Sequence, residues 1–532
     1  MRLRALRDNV HTRFTRSLRL VLFACAAPQV LHASDWLQFG GDAAHGGFNA
    51  AEAGYSTATG NRLAFPAIAL PATVDSAPLY VSAVATESGL RDLLIVQTRL
   101  GMLIALSAAD GSVLWSHQPA GMGSSTTSTP AVDPERQHVY ACGVDGKIHK
   151  YQIADGSEVM TGGWPQAATL KPAVDKIASG LTIATVASGA TYLYVVTNSF
   201  VDTGDYQGHV VAVDLGSGAH RVFSAQCSRL TRLFVENGTT GGDDPDDCAS
   251  IASPKPGETA NSGIWGRPGA VYSSATDRVY VATGNGSFDP VNAQGHGNNW
   301  GDSVLALNPD ATGTGSDGQP LDSYTPANHV KLLASDADLG STSPAIVPAP
   351  PGSSVAHLAL QGGKDGCFRL LNLDLLSGQS GSGHVGGELS TFALPGTTNH
   401  CSDGGITGFN TQPAIWTDPD DHTAWAIIAH GKGIAGYDFS ADAQGNPAQA
   451  LRWSTTSAGT SPVIANGIVY YATSSRVRAL NAKTGALIWS DDRIGNIHWQ
   501  SPIVVNGRLY IADQSARLWV YELDGISRGG FE

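Results

Sequence analysis

Residues 461–489 read SPVIANGIVYYATSSRVRALNAKTGALIW, and this segment shows most clearly how the chain folds. It holds four segments of strand length in which apolar and polar residues alternate with a period of two. Glycine-containing turns, such as Thr484-Gly485, separate these segments. The pattern predicts four short antiparallel strands joined by tight turns.

The same phrase recurs along the chain and usually begins at a proline. The gap between Pro130 and Pro268 is wide enough for two copies, and residues 180–184, GLTIA, open the unmarked one, so the count is eight. A four-stranded sheet cannot bury both faces alone, and sheets stacked radially around an axis solve this problem. The sequence therefore predicts an all-β, eight-bladed β-propeller of four-stranded antiparallel blades. The proline-marked copies begin at Pro78, Pro130, Pro268, Pro344, Pro413, Pro462 and Pro502.

The last copy, residues 500–523, is long enough for only about three strands. We expect a strand from residues 35–72 to complete it, which would close the ring without a free sheet edge. Residues 34–532 are predicted to form a single domain.

Bulk composition agrees with an all-β globular protein. Of 532 residues, 42% are hydrophobic, only 15% are charged and 63 are glycine, which favours short strands and tight turns. The formal net charge of −14 argues against nucleic acid and anionic membrane surfaces as partners.

Residues 1–33 have the features of a secretory signal peptide. Six arginines precede or flank the apolar run of residues 20–27, and Leu31-His32-Ala33 offers a cleavage site. We therefore expect a periplasmic or secreted protein without a transmembrane segment. An alternative is an outer-membrane lipoprotein anchored through Cys25.

Export makes disulfide bonds possible. Cys227 with Cys248, and Cys367 with Cys401, are plausible pairs because each would staple a long polar loop, and Cys142 would be left over. Spacing alone cannot fix this connectivity.

The repeat resembles that of the PQQ-dependent (quinoprotein) alcohol dehydrogenases over nearly the whole mature chain. Residues 35–42, DWLQFGGD, are similar to that family's opening tryptophan segment. A non-catalytic outer-membrane assembly factor uses the same eight-bladed fold, so function must be argued from the site.

Three motifs resemble the family's catalytic region. In residues 262–268, SGIWGRP, Trp265 is similar to the tryptophan that stacks on the quinone PQQ, and in residues 281–287, VATGNGS, Asn285 is similar to a calcium ligand. Asp302 takes the place of the base that removes the alcohol's proton, and it would also lie beside the metal. The alternatives are a tryptophan that packs between blades, a left-handed Gly-Asn-Gly turn, and an aspartate that caps a turn.

Two further motifs complete the resemblance. Lys364, in GGKDGCFRL, is similar to the lysine that polarises the quinone carbonyl, and Asn410, in FNTQP, to an asparagine that hydrogen-bonds the cofactor. Each has a structural alternative: a solvated turn lysine and an asparagine satisfying backbone at a blade start. The family's calcium-binding glutamate in the third blade has no obvious counterpart here, and Asp202 or Asp205 is the substitute.

Two functional hypotheses follow. One is a quinoprotein dehydrogenase that uses PQQ and calcium to oxidise a small or polymeric alcohol. No haem segment is present in the sequence, so electrons would pass to a separate acceptor such as a cytochrome c. The family's disulfide between adjacent cysteines, against which the quinone packs, is also absent. The other is a non-catalytic scaffold of the same fold that binds a protein or a carbohydrate in the cell envelope.

Overall fold

The computed structural model describes residues 35–52, 62–118, 125–235, 251–253, 255–290, 298–314, 318–408 and 411–523. The signal-peptide prediction and Cys25 lie outside these ranges, as do Cys248 and Asn410.

Eight antiparallel sheets are arranged in chain order around one axis, as the repeat predicted. We number them blade 1 to blade 8, each from its innermost strand outward. Blade 1 contains Leu79–Thr86, Gly89–Gln97, Leu103–Ser107 and Val113–His117. Blade 2 contains Ala131–Val132, His138–Cys142, Lys147–Gln152 and Gln166–Ala167. Blade 3 contains Thr182–Thr185, Thr191–Val196, His209–Asp214 and His220–Ser224. Blade 4 contains Val271–Ser273, Arg278–Ala282, Val304–Leu307 and Asp322–Tyr324.

The second half of the chain repeats the arrangement. Blade 5 contains Ala345–Pro348, His357–Gln361, Cys367–Asn372 and Ser390–Ala393. Blade 6 contains Ala414–Thr417, Ala424–His430, Gly433–Ala441 and Pro447–Thr455. Blade 7 contains Val463–Ala465, Ile468–Thr473, Arg476–Asn481 and Leu487–Asp491. Blade 8 takes Ile503–Val505, Arg508–Ala512 and Arg517–Glu522 from the C-terminal part of the chain.

Residues from the N-terminal part complete blade 8, as expected. The short strands Arg62–Leu63 and Ile68–Ala69 both pair antiparallel with Arg517–Glu522, in the registers Leu63 opposite Tyr521 and Ile68 opposite Leu518. The first and last parts of the chain thus share one sheet, and this sheet closes the ring.

Six of the seven prolines that mark the repeat lie directly before an inner strand, and Pro268 is separated from its strand by Gly269 and Ala270. Pro78, Pro344 and Pro462, for example, each precede the first residue of a blade. Proline has no N–H to give to a ladder, so it is tolerated at the first residue of a strand or just before it. This is why the sequence marker and the strand boundary coincide.

Both faces of each blade are buried. In blade 4, Val281 and Leu305 pack against blade 3, whereas Tyr280 and Ala306 belong to a cluster shared with blade 5. Alternate residues of one strand thus supply two neighbouring cores, as expected for radially stacked sheets.

An N-terminal stretch, which we call the axial segment (residues 36–49), runs along the inner edges of the blades. Its Phe48–Asn49 strand pairs in parallel with blade 7. In seven of the eight blades the second residue of the inner strand hydrogen-bonds this segment. The bonds join Trp36 to Tyr80, Leu37 to Val132, Gln38 to Ile183, Ala43 to Tyr272, Gly46 to Ile415, Gly47 to Ile464 and Asn49 to Val504.

A few elements lie outside the blades. Among the described residues they are one α-helix, His329–Ser335, one 3₁₀ helix, Leu339–Ser341, and three two-stranded sheets. These sheets pair Asp175–Lys176 with Asn198–Ser199, Ile251–Ala252 with Thr259–Ala260, and Phe288–Asp289 with Asn299–Trp300.

The cysteine prediction is confirmed in one pair. Cys367 and Cys401 form a disulfide bond, and Cys142 is free and buried. Pairing of Cys227 with Cys248 stays a prediction. None of the helices in the described part of the chain has the length and apolar character needed to cross a bilayer.

Candidate functional site

The candidate site lies where blade 4 meets the connection to blade 5. Asn285 follows the second strand of blade 4, and Asp302 precedes its third strand. The 3₁₀ helix Leu339–Ser341 lies against the same strand ends, just before blade 5 begins. The antiparallel fold thereby brings together residues that are distant in sequence.

Asp302 is buried and holds two elements together. Its Oδ2 accepts a hydrogen bond from Asn285 Nδ2 at 2.9 Å, and its Oδ1 accepts one from the Leu339 N–H at 3.0 Å. Its backbone is in the left-handed region, with φ of 48°. These bonds reach across to other loops, so Asp302 does more than cap its own turn.

The electrostatic environment of Asp302 suits a proton acceptor. Burial, and then the nearby Asp338 carboxylate, raise the pKa of Asp302 to about 7, whereas its two hydrogen bonds lower it. A carboxylate whose pKa lies near neutrality is suited to general base chemistry.

Asn285 presents an oxygen without a partner. Its side chain is 5% exposed, its Nδ2 bonds Asp302, and its Oδ1 is buried with no hydrogen-bond partner. A buried amide oxygen left unpaired is costly unless a cation or a donor occupies the space beside it. Asn285 is not among the residues with positive φ, so the left-handed Gly-Asn-Gly alternative is wrong.

Asp338 connects Asn285 with Lys364. Its Oδ1 accepts a 2.6 Å hydrogen bond from the Asn285 N–H, and its Oδ2 forms an ion pair with Lys364 Nζ. Gly284 permits this close approach, because a Cβ there would stand 2.5 Å from Asp338 Oδ1 and 3.1 Å from Trp265 Nε1.

Lys364 is buried among carboxylates, and the solvated-turn alternative is therefore wrong. Besides Asp338, its Nζ lies 3.5 Å from Asp336, which is also bonded by Lys255. Its pKa is lowered by burial, but the attraction of Asp338, then of Asp336 and Asp202, outweighs that effect and raises the pKa overall. Lys364 thus remains charged at neutral pH.

Trp265 provides an aromatic surface beside this lysine. Its side chain is half-buried, and Lys364 Nζ lies 5.3 Å from the centre of its ring. A cation over an indole face is a favourable cation–π contact. The indole and the ammonium group therefore lie on one patch.

Asp202, rather than Asp205, faces this patch from blade 3. Burial, followed by repulsion from Asp338, raises the pKa of Asp202 to about 6, and attraction by Lys364 partly offsets this rise. Asp205 instead lies 3.5 Å from the buried Lys171 Nζ.

The structure thus brings together Trp265, Asn285, Asp302 and Lys364, with Asp202 in electrostatic contact with them. The role of each stays a prediction, and so does that of Asn410. Sequence reasoning missed Asp336 and Asp338. The available signal was the Asp-Ala-Asp stretch just before the Ser-Pro start of blade 5, which has no counterpart before the other blades.

The donors present fit a hard divalent cation. Such a cation prefers oxygen ligands, and the unpaired Asn285 Oδ1 lies next to the Asp302 carboxylate. Within the described ranges, no group of three His, Cys, Asp or Glu side chains could hold a metal by itself. A cation here would therefore need further oxygen ligands from water or from a bound molecule.

A flat, anionic aromatic cofactor fits this site only together with a cation. Trp265 offers a stacking surface and Lys364 a positive charge. Asp202, Asp302 and Asp338, however, make the surroundings acidic and would repel an anion. A divalent cation would offset that repulsion.

Comparison with known proteins assigns the chain to a family through residues on either side of most of the candidate site. A protein-family model named PQQ_2 and described as outer membrane protein assembly factor BamB matches residues 68–260 and 418–527. No curated protein matches significantly.

Solved structures of quinoprotein dehydrogenases share the fold. Quinohemoprotein alcohol dehydrogenase ADHIIG from Pseudomonas putida HK5 is 14% identical, with a TM-score of 0.60 over 93% of this chain and 81% of that chain. The quinohemoprotein alcohol dehydrogenase from Comamonas testosteroni is 15% identical, with a TM-score of 0.58 over 94% and 82%. A europium-containing methanol dehydrogenase is 14% identical, with a TM-score of 0.57 over 92% and 98%.

At these identities the likeness to solved structures shows the fold alone. The family model, in contrast, matches more than half of the chain. The protein is therefore a member of the PQQ-repeat β-propeller family.

Proposed function

We propose that this protein is an exported, quinoprotein-like dehydrogenase that oxidises an alcohol with PQQ and a calcium ion bound at the candidate site. One observation carries the proposal: four side chains from separate parts of the sequence meet at one place, namely those of Trp265, Asn285, Asp302 and Lys364. The buried Oδ1 of Asn285 lacks a partner there. The fold shared with quinoprotein dehydrogenases supports it.

Each side chain has a distinct role in this proposal. Asn285 Oδ1 and the Asp302 carboxylate would hold the cation, and Trp265 would support the cofactor ring. When bound, PQQ supplies the electron-accepting carbonyl chemistry of the reaction. Asp302 would accept the substrate's hydroxyl proton, and the Lys364 ammonium group would donate a hydrogen bond to an oxygen of the bound cofactor. Electrons would leave to a separate carrier such as a cytochrome c.

The variant Asp302→Asn tests the proposal. The amide keeps the size of the side chain and an acceptor for the Leu339 N–H, but it cannot take a proton. We expect dye-linked alcohol oxidation to fall about 10²–10⁴-fold, with the fold intact by circular dichroism. Asp155→Asn, which changes an exposed turn carboxylate in blade 2, is the matched control and should retain full activity. Wild-type activity in Asp302→Asn would contradict the assigned role.

The second candidate function is a non-catalytic envelope scaffold. The description of the matching family model as an assembly factor favours it. A scaffold would lose function through surface changes and would tolerate Asp302→Asn. The same variant therefore separates the two candidates once any activity or partner can be assayed.

A further inference from the structure

Blade 5 is the exception in the ring of contacts made by the axial segment. In each other blade, the second residue of the inner strand hydrogen-bonds this segment. The equivalent residue in blade 5 is Ile346, and among the described residues no hydrogen bond joins it to the axial segment. Ile346 is half-exposed, whereas Tyr80, Ile415 and Ile464 are buried.

The register shows which way the backbone of Ile346 points. Ile346 lies opposite Ala359 in the same position as Tyr80 opposite Leu94, and the Tyr80 N–H and C=O both bond Trp36. Pro348 supports this orientation. It lies two residues after Ile346 in the strand, so its backbone points to the same side, and it has no N–H to give to the ladder. The N–H of Ile346, with the carbonyl groups of Ile346 and Pro348, therefore faces away from the second strand of blade 5.

A cavity of about 320 Å³ opens at this edge. Its apolar walls come from blade 5, from Ile415 of blade 6 and from Phe48 of the axial segment. The exposed carboxylate of Asp42 stands on its rim, held by a 3.0 Å hydrogen bond from the Gly46 N–H. The volume is in the range of sites that bind small ligands or a few residues of peptide. The cavity lies at the far end of the inner strand from the candidate dehydrogenase site.

We propose that this cavity binds an extended peptide segment that carries a lysine or arginine, by adding a short strand to the inner edge of blade 5. The open edge supplies one donor and two acceptors spaced as in a sheet, which an extended peptide backbone matches. The apolar walls take a side chain on one face, and Asp42 pairs with the cation. The protein's net charge of −14 further favours a cationic partner.

The test probe is a fluorescently labelled, N-acetylated pentapeptide of alternating valine and lysine. Fluorescence anisotropy measures its binding to the full mature chain. The peptide concentration is raised to about 1 mM, which detects even weak binding. We expect saturable binding that weakens as salt is raised. Asp42→Asn should weaken binding several-fold, and Asp110→Asn, an exposed carboxylate of blade 1, should bind as the wild type does. The same peptide with alternate backbone amides N-methylated should not bind.

Two further variants test the edge itself. Ile346→Pro removes the free N–H without taking a donor from the ladder and should abolish binding. If that variant does not fold, Ala356→Trp, at the exposed mouth of the cavity, should block the peptide instead. The proposal is overturned if the wild type does not bind, if the N-methylated peptide binds equally well, or if Asp42→Asn leaves affinity unchanged.

Discussion

At the scale of single residues, the candidate site is a balance of buried charges. Lys364 is largely buried and lies within ion-pair distance of both Asp336 and Asp338. No other ammonium group in the described part of the chain has both of these features. A buried carboxylate that loses its partner pays a large desolvation cost. The lysine therefore stabilises the fold as well as serving the proposed chemistry.

The variant Lys364→Met makes this testable. We expect the free energy of unfolding to fall by about 3–5 kcal/mol, because Asp338 is left buried without its cation. Adding Asp338→Asn should recover much of the loss, since the amide still accepts a hydrogen bond from the Asn285 N–H. Urea unfolding of the two single variants and the double variant measures the coupling. Losses that simply add in the double variant would contradict this account.

Residue-scale prediction from the sequence was partial for a physical reason. Trp265, Asn285, Asp302 and Lys364 each lie in a motif with recognisable neighbours. Asp338 has no such motif, and its importance arises only because a 3₁₀ helix carries it against the end of blade 4. Contacts between loops of different blades are not encoded in the period of either blade.

Among the structural elements, the axial segment makes contacts that the repeat pattern does not predict. Gln38 is an example, because its side-chain amide makes the two hydrogen bonds that a neighbouring strand would make. Its Oε1 accepts a hydrogen bond from the Ile183 N–H at 2.8 Å, and its Nε2 donates one to the Ile183 C=O at 3.2 Å. The prediction that a strand from residues 35–72 completes blade 8 is confirmed. Residues 36–49, in contrast, carry no repeat pattern from which their path could be inferred.

Replacing Gln38 tests the contribution of this segment. Gln38→Ala leaves the buried N–H and C=O of Ile183 without partners, and we expect a loss of about 1–3 kcal/mol in the free energy of unfolding. The control Gln137→Ala removes an exposed glutamine whose bond to the Glu135 carbonyl lies at the surface. Thermal and urea unfolding compare the two. Equal, small effects would show that the axial segment is only loosely attached.

At the scale of the whole molecule, several buried histidines make stability depend on pH. Burial lowers the pKa of His209 to about 3 and that of His430 to about 4, and it also lowers the pKa of His45. Between about pH 6.5 and pH 4 the unfolded chain is largely protonated at His209 and His430, whereas the folded chain binds fewer protons there. Their contribution to stability is therefore complete above pH 6.5 and is lost as the pH falls.

The variant His209→Gln isolates one of these groups. Between pH 6 and pH 5, His209 contributes a slope of up to about 1.4 kcal/mol per pH unit. We expect the pH dependence of the unfolding free energy to flatten by about that amount in His209→Gln. The half-exposed His384→Gln should follow the wild type. An unchanged slope in His209→Gln would show that His209 is already protonated in the folded protein.

The global fold was predictable because each blade repeats one local rule. Strand alternation, glycine turns and prolines before inner strands, as at Pro462, each recur, and eight such sheets have one economical arrangement. Function does not repeat in this way. Both functions proposed for this protein rest on departures from the rule, which are the loop that carries Asp302 and the open edge at Ile346.

The proposed function is tested by titrating the purified mature protein with PQQ in a calorimeter, once in buffer with calcium and once in buffer with a chelator. We expect one PQQ to bind per chain when calcium is present and binding to be lost when the chelator removes the cation. We also expect PQQ to quench tryptophan fluorescence, and this quenching should be lost in Trp265→Ala. Absence of PQQ binding in the presence of calcium would contradict the proposed function.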